Sequence, residues 1–309
     1  MEIADYDKFG YDYEQYWRDQ LVKRQYEDSS ERMAIGLMLK HIPKHGVICD
    51  LGCGFGRLYD AYADHFDTAV LTDFSFDNLR RAREIIMAKN EGKLPSVYFV
   101  AANAYALPFR DEVFDALITV RLFHHMEKVT RAIGQISRVI KPLGQTIIEY
   151  ANKKHFAARI RHLKHRKDSN FHSLEPEKKG EAFYNFNPQQ IEKDLHNAQL
   201  PIAEVLSVSN LRSQFLKKWI PVKGMVAFEK ILQSMLAASR FGPSIFVRSE
   251  KNAGDTELIA DRTRVDIKDI LLCPSCGSES LAFFPSEIVC QGCSRKFSVI
   301  DGIIDMRVE

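Results

Sequence analysis

The chain has 309 residues, of which 45% are hydrophobic and 27% are charged. This composition is typical of soluble globular proteins, and the length predicts about two domains. The net charge of +2 is too small to indicate that the whole chain binds nucleic acid, so any basic surface must be local. No apolar run approaches the roughly 20 residues that span a bilayer, and the acidic start lacks the apolar core of a secretory signal. We therefore expect a cytoplasmic protein.

Residues 1–46 are rich in aromatic side chains and are predicted to form an N-terminal helical cap. An amphipathic helix is expected to begin at Ser29, a residue type that caps helix N-termini, and to end before Pro43. Two interpretations stay open for this region. The helix packs on the edge of a sheet, or the segment 11–17 forms an aromatic lid over a ligand.

The segment 47–58 combines an apolar run, an acid and three alternating glycines, Gly52, Gly54 and Gly56. A strand that ends in such a turn lets a ligand approach the backbone, and a helix that begins there directs free amides at the ligand. We expect this strand–turn–helix arrangement here. Alone, the glycine pattern is a weak signal for a nucleotide-type site.

Further apolar runs alternate with helical patterns along the chain up to about residue 250. They predict strands at 47–51, 69–73, 97–100, 114–120, 146–150, 203–208 and 244–248. Apolar strands that alternate with helices indicate an α/β fold with a doubly wound, mostly parallel seven-stranded sheet. Ligands of such sheets bind beyond the carboxyl ends of the strands, where the glycine turn lies.

Asp73 ends the second expected strand, about 23 positions after Asp50. A carboxylate about 20 residues beyond a glycine turn is well placed to accept hydrogen bonds from ribose hydroxyls. The alternative is that Asp73 caps the helix that follows it.

Four features come in one order: the Asp50-x-Gly-x-Gly-x-Gly turn, the acid after the second strand, the loop Leu107-Pro108-Phe109 and the pair His124-His125. In this order they resemble the class I S-adenosylmethionine-dependent methyltransferases. The match covers about residues 47–150 and continues more weakly to about 250. The resemblance implies a Rossmann-like fold and S-adenosylmethionine as the cofactor.

The resemblance also implies which residues bind the cofactor. In the family the glycines and the acid before them line the methionine part, and the acid after the second strand holds the ribose. Residues after the third strand meet the adenine, and the loop after the fourth strand closes the pocket. The corresponding residues here are Asp50, Gly52, Cys53, Gly54, Gly56, Asp73, Phe74, Asn103, Ala104 and Arg121.

Two positions depart from the family pattern. Asn103 stands where the family commonly has Asp, although an amide can still bond the adenine edge. Leu143 replaces the first glycine of the usual Pro-Gly-Gly turn. A nicotinamide-dependent dehydrogenase is the competing interpretation, but its glycine turn usually lacks an acid two residues before the first glycine.

His124 and His125 are the expected catalytic residues, because the resemblance implies that they lie at the mouth of the pocket. Methyl transfer from a sulfonium depends mainly on proximity and in-line alignment of the acceptor. Where the acceptor must lose a proton, histidine is a suitable general base near pH 7. The alternative is that the pair shapes the pocket.

The acceptor side is expected after the fifth strand, in two inserts. A basic insert at about 152–185 begins with a run of basic residues that contains no acid. It is either a solvated face or a clamp for a phosphorylated acceptor, an RNA backbone or an anionic lipid surface. A helical insert at about 211–240 is expected to place its large apolar side chains in the core, with a hydrophobic acceptor pocket as the alternative. Those side chains are Trp219, Met225, Phe228 and Met235.

Residues 251–264 are polar and are predicted to link the 47–250 domain to a C-terminal module at 265–309. The module holds two Cys-x-x-Cys pairs separated by about 13 residues, a spacing that predicts a closed structural zinc site. It resembles the small zinc-ribbon protein that activates eukaryotic tRNA, rRNA and release-factor methyltransferases. The expected ligands are Cys273, Cys276, Cys290 and Cys293.

Together these features predict a methyltransferase that uses S-adenosylmethionine, carries zinc and acts on a small or anionic acceptor. Two alternatives remain open. One is an RNA methyltransferase that uses the basic insert and the zinc ribbon. The other is a catalytically silent activator or scaffold.

Overall fold

The computed structural model describes residues 13–90, 96–164, 169–180, 183–213, 217, 219–253 and 265–308, with side chains from Arg24 onward except at Ser169. The helices in these ranges are α1 (Tyr13–Met38), α2 (Phe76–Lys89), α3 (Val129–Val139), α4 (Phe156–Lys164), α5 (Pro188–Asn197), α6 (Val222–Met235) and α7 (Ile267–Ile270). No helix there combines the length and the apolar character that crossing a bilayer requires.

One large sheet contains most of the strands, in the order β10-β11-β12-β13-β3-β2-β1-β4-β5-β9-β8. Its central strands are parallel, whereas β9 runs antiparallel to both β5 and β8. The strands are β1 (Val47–Leu51), β2 (Thr68–Asp73), β3 (Val97–Ala101), β4 (Phe114–Thr119), β5 (Ile140–Ala151), β6 (Glu177–Lys179), β7 (Phe183–Asn185), β8 (Ile202–Val208), β9 (Ser244–Glu250), β10 (Leu281–Phe283), β11 (Glu287–Cys290), β12 (Lys296–Ile300) and β13 (Ile303–Asp305).

The predicted α/β fold with a mostly parallel sheet is confirmed. Helices cover both faces of the sheet, and each face has its own buried apolar cluster. Ile35 of α1 and Leu79 of α2 pack on one face, and Ile136 of α3 and Leu195 of α5 pack on the other. The apolar residues of α3 recur at helical spacing and are all buried, which explains why this short segment forms a helix.

The N-terminal helix differs from the prediction at its start. α1 begins at Tyr13, so Ser29 does not cap it. The neighbouring Ser30 hydroxyl donates to the Tyr26 carbonyl at 2.7 Å, a bond within the helix. The segment 11–17 that was expected to form an aromatic lid lies outside the described side chains.

The prediction that a helix follows the glycine turn directly is also wrong. Between Gly52 and Asp67 the chain forms two short 3-10 helices, Tyr59–Ala61 and Ala63–His65. Only at Phe76, beyond β2, does an α-helix begin. Its N-cap is Ser75, whose hydroxyl accepts from the Asn78 amide at 3.1 Å.

The basic insert contains β6, which pairs with β7 as an antiparallel hairpin. In the helical insert, Met225 is buried but Trp219, Phe228 and Met235 are exposed, so the prediction that these side chains fill the core is wrong for three of the four.

The C-terminal module joins the main sheet instead of standing apart from it. β13 runs parallel to β3, with Ile303 opposite Phe99 and Ile304 opposite Val100. Ile303 is fully buried in the same cluster as Phe99. The predicted domains at 47–250 and 265–309 therefore share a core, although most of the expected linker lies outside the described residues.

Candidate cofactor site and four-cysteine cluster

A cavity opens at the carboxyl ends of β1, β2, β3 and β4. This is the position where open parallel sheets bind ligands. Eight of the predicted site residues line the cavity: Gly52, Gly54, Asp73, Phe74, Asn103, Ala104, Arg121 and His125. Asp50, Cys53, Gly56 and His124 are not among the lining residues.

At the glycine turn the cavity is lined by backbone without side chains. Gly52 has φ +77, and a Cβ there would lie 2.9 Å from the Leu122 Cβ, so only glycine fits. The amides of this turn do not point at the cavity as expected. Gly52 N donates to Thr72 O at 2.7 Å, and Gly54 N donates to the Asp73 carboxylate at 2.8 Å. The turn therefore lets a ligand approach the backbone closely, but its amides donate their hydrogen bonds to β2 and not to the cavity.

Asp50 lies behind the turn and is buried. Its carboxylate accepts a hydrogen bond from the Tyr62 hydroxyl at 2.5 Å. Burial raises the pKa of Asp50 to about 7, and the charge of Asp73 adds to the rise, while the Tyr62 hydrogen bond opposes it. In this geometry Asp50 is bonded to Tyr62 and is not among the residues that line the cavity.

Asp73 reaches the cavity from the end of β2. One carboxylate oxygen accepts from Gly54 N, and the other accepts from Ser75 N at 2.9 Å. These bonds fix the orientation of the carboxylate, which lines the cavity. Asp73 is thus both the brace of the glycine turn and an acceptor on the cavity wall. The alternative that Asp73 caps α2 is wrong, because the N-cap of this helix is Ser75.

The adenine end of the expected site meets the C-terminal residues of the chain. Asn103 Nδ2 donates to Val308 O at 3.1 Å, and Asn103 Oδ1 accepts from Tyr105 N at 2.8 Å. Each end of this amide has one partner within the protein, and the Nδ2 group has a second N–H and Oδ1 a second lone pair. Beside it, the Arg307 guanidinium lies over the Phe74 ring, 5.6 Å from its centre.

Arg121 is held by two buried carboxylates. Its backbone, at φ +62, donates to Glu149 Oε2 at 2.9 Å, and its guanidinium Nε donates to Glu31 Oε1 at 2.7 Å. Glu31 also binds Arg57 at 2.5 Å, so one α1 carboxylate pairs with two arginines. The loop after β4 is consequently tied to both α1 and β5.

The two predicted histidines have different surroundings. His124 is buried, and its Nε2 lies 2.8 Å from Glu149 Oε2, so its ring supports the loop after β4. His125 faces the cavity and packs edge-on against Phe183 of the β6–β7 hairpin, with 4.9 Å between the ring centres. Of the pair, only His125 lines the cavity.

Sequence reasoning missed seven residues of the cavity lining and the acids behind it. Leu51, Ala102 and Val120 directly adjoin predicted residues, so extending each motif by one position would have found them. Glu31 and Glu149 carried no motif, because their partners are distant in sequence. The missed lining residues are Leu51, Asn78, Ala102, Tyr105, Val120, Leu122 and Met126.

The four cysteines of the C-terminal module converge as expected. All four Sγ atoms lie within 4.8 Å of one another, with Cys273 and Cys293 at 3.7 Å and Cys276 and Cys290 at 3.6 Å. Four sulfurs around a tetrahedral zinc, each bonded at about 2.3 Å, are about 3.8 Å apart. Gly292 N also donates to the Cys290 sulfur at 3.3 Å. The cluster therefore fits a zinc ion in both spacing and donor type.

Comparison with known proteins agrees with this geometry. Residues 49–148 match a family model described as "Methyltransferase domain". The chain is 34% identical to a demethylmenaquinone methyltransferase of Thermus thermophilus over 119 residues, which cover 38% of this chain and 51% of the relative. It is 32% identical to an uncharacterised protein of Methanocaldococcus jannaschii over 121 residues, 38% of this chain and 48% of the relative. The chain thus spans about half the length of these curated relatives.

Solved structures show the same fold. One is a complex that contains the Haloferax volcanii Trm112 methyltransferase activator, matched with a TM-score of 0.53 at 15% identity over 82% of this chain and 98% of that one. Another is the magnesium protoporphyrin IX methyltransferase of Synechocystis with bound SAH, matched with a TM-score of 0.51 at 14% identity over 74% and 87% of the two chains. The chain has the α/β Rossmann-like fold of methyltransferases.

We expect replacement of Glu149 by Gln to lower the free energy of unfolding at neutral pH by about 3 kcal/mol, since it breaks a buried ionic cluster. Although burial raises the pKa of Glu149, His124, Arg121 and Ser244 together lower it from 4.5 to about 2. The ionised carboxylate therefore stabilises the fold above about pH 4.5, and this stabilisation is lost as the pH falls toward 2. Urea unfolding of parent and variant at several pH values measures the difference.

The matched control is Glu84→Gln on α2, which removes a carboxylate from an exposed pair with Arg81. It should change the free energy of unfolding by less than about 1 kcal/mol. If Glu149→Gln costs the same at neutral pH and at about pH 2, the contribution is packing and not charge.

Proposed function

We propose that this chain is a methyltransferase that uses S-adenosylmethionine. The observation that carries the proposal is the cavity at the strand ends, whose lining joins the glycine turn, Asp73 and the loop after β4 within the segment that matches a methyltransferase domain. The cofactor, when bound, supplies a methyl group on a positively charged sulfur, which is a good leaving group. The protein then has to align the acceptor and keep the walls of the site rigid.

The residues of the cavity divide this task by position. Asp73 would hold ribose hydroxyls, and Gly52 would let the methionine part of the cofactor lie against the backbone. Arg121, fixed by Glu31, would close the side next to α1. His125 would orient the acceptor or take its proton, and His124 would hold the loop through Glu149. An acceptor that enters beside His125 would contact the aromatic ring of Phe183.

We propose a small or anionic acceptor over RNA, because part of the basic insert is engaged within the fold. Two of its cations have such contacts: Lys153 Nζ donates to Ser173 O at 3.1 Å and Glu175 O at 2.8 Å, and Arg159 lies over the Phe241 ring. Cations used in this way are poorly placed to follow an RNA backbone. A lipid-soluble acceptor is a related option, because a similar relative is a demethylmenaquinone methyltransferase.

We also propose that the four cysteines hold one structural zinc ion. The module they join lies against the cavity, since the Met306 amide donates to Ala101 O at 2.9 Å and Val308 binds Asn103. The zinc would therefore stabilise one wall of the cofactor site within a single chain. A solved structure of similar fold contains a separate methyltransferase activator, which supports a stabilising role for this module.

S-adenosylhomocysteine should bind the parent protein in a calorimetric titration. We expect Asp73→Asn to weaken this binding by about tenfold or more, because a hydrogen bond to a charged group contributes about 1.5 kcal/mol or more. Asp77→Asn, an exposed carboxylate on α2 paired with Arg80, is the matched control and should bind like the parent. No heat of binding to the parent would favour the scaffold alternative.

The acceptor can be found by transfer of a labelled methyl group into cell extract that is then separated into small molecules, lipid, RNA and protein. We expect label in the small-molecule or lipid fraction, with none from the Asp73→Asn variant. Label confined to RNA would contradict the proposal and support the RNA alternative. Label in no fraction, from a protein that binds S-adenosylhomocysteine, would also count against a catalytic role.

Elemental analysis should find one zinc per chain, and Cys273→Ser should lower both the zinc content and the melting temperature of the whole chain. The whole chain is affected because Ile303 and Met306 of this module belong to the two main apolar clusters. Ser275→Ala, on the same exposed turn, is the control and should leave both quantities unchanged. A Cys273→Ser protein as stable as the parent would rule out a structural metal.

A further inference from the structure

Helix α6 exposes a stripe of large apolar side chains and buries two polar ones. Glu229 and Gln233 are fully buried, while three large apolar side chains face solvent with spacings of three and four residues. A surface helix normally buries its apolar stripe and exposes its polar one. The exposed residues are Phe228 (62% exposed), Ile231 (58%) and Met235 (70%).

The buried contacts fix this orientation. Tyr26 of α1 donates to Glu229 at 2.5 Å, and Gln233 Nε2 donates to Ser30 O at 2.8 Å. Rotating α6 to bury Phe228 would remove Glu229 and Gln233 from these partners and leave polar groups of α1 unsatisfied. The apolar stripe is therefore held outward by the same contacts that attach α6 to the protein.

Helix α4 carries a second exposed apolar stripe. Its members, at helical spacings of four and three, are Phe156 (54% exposed), Ile160 (37%) and Leu163 (72%). The start of α4 contacts the segment that follows α6, since the Phe156 amide donates to Phe241 O at 2.9 Å and the two rings lie 5.5 Å apart. The stripes of α4 and α6 thus flank one short stretch of chain.

The exposed charged side chains of α4 and α6 are all positive. α4 contains no acid, and the single acid of α6 is the buried Glu229. Arg161 and Lys164 of α4 and Lys223 and Lys230 of α6 are exposed. On these two helices the exposed charges that accompany the apolar stripes are cations, and this pattern complements a surface that is anionic outside and apolar beneath.

We propose that this face, formed by α4 and α6, docks on an anionic lipid bilayer. The six apolar side chains would enter the boundary between headgroups and acyl chains, and the four cations would meet the lipid phosphates. A nucleic acid would satisfy the cations but would leave the apolar stripes in water. The inference stands without the proposed activity, because it rests on the outer faces of two helices and not on the cavity.

The test is co-sedimentation of the full chain with vesicles, which measures binding without catalysis. We expect binding to vesicles of phosphatidylcholine and phosphatidylglycerol, weak binding to phosphatidylcholine alone, and loss of binding as salt is raised. Phe228→Ser combined with Leu163→Ser should weaken binding by about tenfold or more. Lys230→Gln and Arg161→Gln should each weaken it by about fivefold.

Matched controls change the same chemistry elsewhere. Phe284→Ser removes an exposed ring from the C-terminal module, and Lys44→Gln removes an exposed cation from the loop before β1. Both should bind vesicles like the parent. The substituted positions on α4 and α6 are exposed, so circular dichroism and melting temperature should not change, and weaker binding can then be assigned to the surface.

Four results would overturn the proposal. They are absence of binding to the anionic vesicles, equal binding to both kinds of vesicle, loss of binding in the controls, and retention of binding in the α4 and α6 variants. Salt-dependent RNA binding that needs Lys230 and Arg161 but not Phe228 and Leu163, in a protein that ignores vesicles, would identify a nucleic-acid surface instead. A dimer that dissociates in the Phe228→Ser, Leu163→Ser variant, again without vesicle binding, would identify a second copy of the chain as the occupant.

Discussion

The parallel pairing of β13 with β3 decides how the rest of the molecule is arranged. It inserts Ile303 into the cluster that contains Phe99, so the four-cysteine module and the main sheet share one core. From the end of this strand the chain continues past the cavity, where the Val308 carbonyl binds Asn103. A module of this size has too little core of its own to fold without a metal or a partner. Here the neighbouring sheet supplies the missing apolar surface, and in return the module holds Asn103, which lines the cavity.

The opposite wall depends on buried charge. Glu149 accepts from the Arg121 backbone and from the Ser244 hydroxyl, and Glu31 pairs with the Arg121 side chain. A buried carboxylate is costly unless it is paired and hydrogen-bonded, so these contacts allow few alternative positions for the loop after β4. A reaction that gains its rate from alignment needs such a loop, because small displacements of the acceptor reduce the rate steeply. The positions of both sides of the cavity therefore depend on residues outside the glycine turn, although the glycine turn is the feature by which the site is most easily recognised.

Local sequence patterns were sufficient for the sheet and for most of the cavity, because strand and helix periodicity and turn glycines act over a few residues. They failed where the deciding partner is distant. The periodicity of α6 indicates an amphipathic helix but cannot say which face is buried, since that depends on Tyr26 and Ser30 of α1. Asn103 looked available to a ligand because Val308 lies at the other end of the chain. Ser29 is a residue type that caps helices, but α1 extends N-terminal to it, and Tyr26 on an earlier turn is bonded to the distant Glu229 of α6.

The contacts of α1 connect the outer surface to the cavity. Gln233 of α6 binds the Ser30 carbonyl, and the next residue, Glu31, binds Arg121 on the cavity wall. A shift of α6 on docking would therefore act on the same turn of α1 that holds Arg121. Such a path of contacts is necessary for docking to affect the cavity. It is sufficient only if the loop after β4 has two stable arrangements. The buried pairing of Glu149 with His124 favours one arrangement of this loop. The contacts therefore fix the position of the cavity relative to the proposed docking face and do not switch the loop between two states.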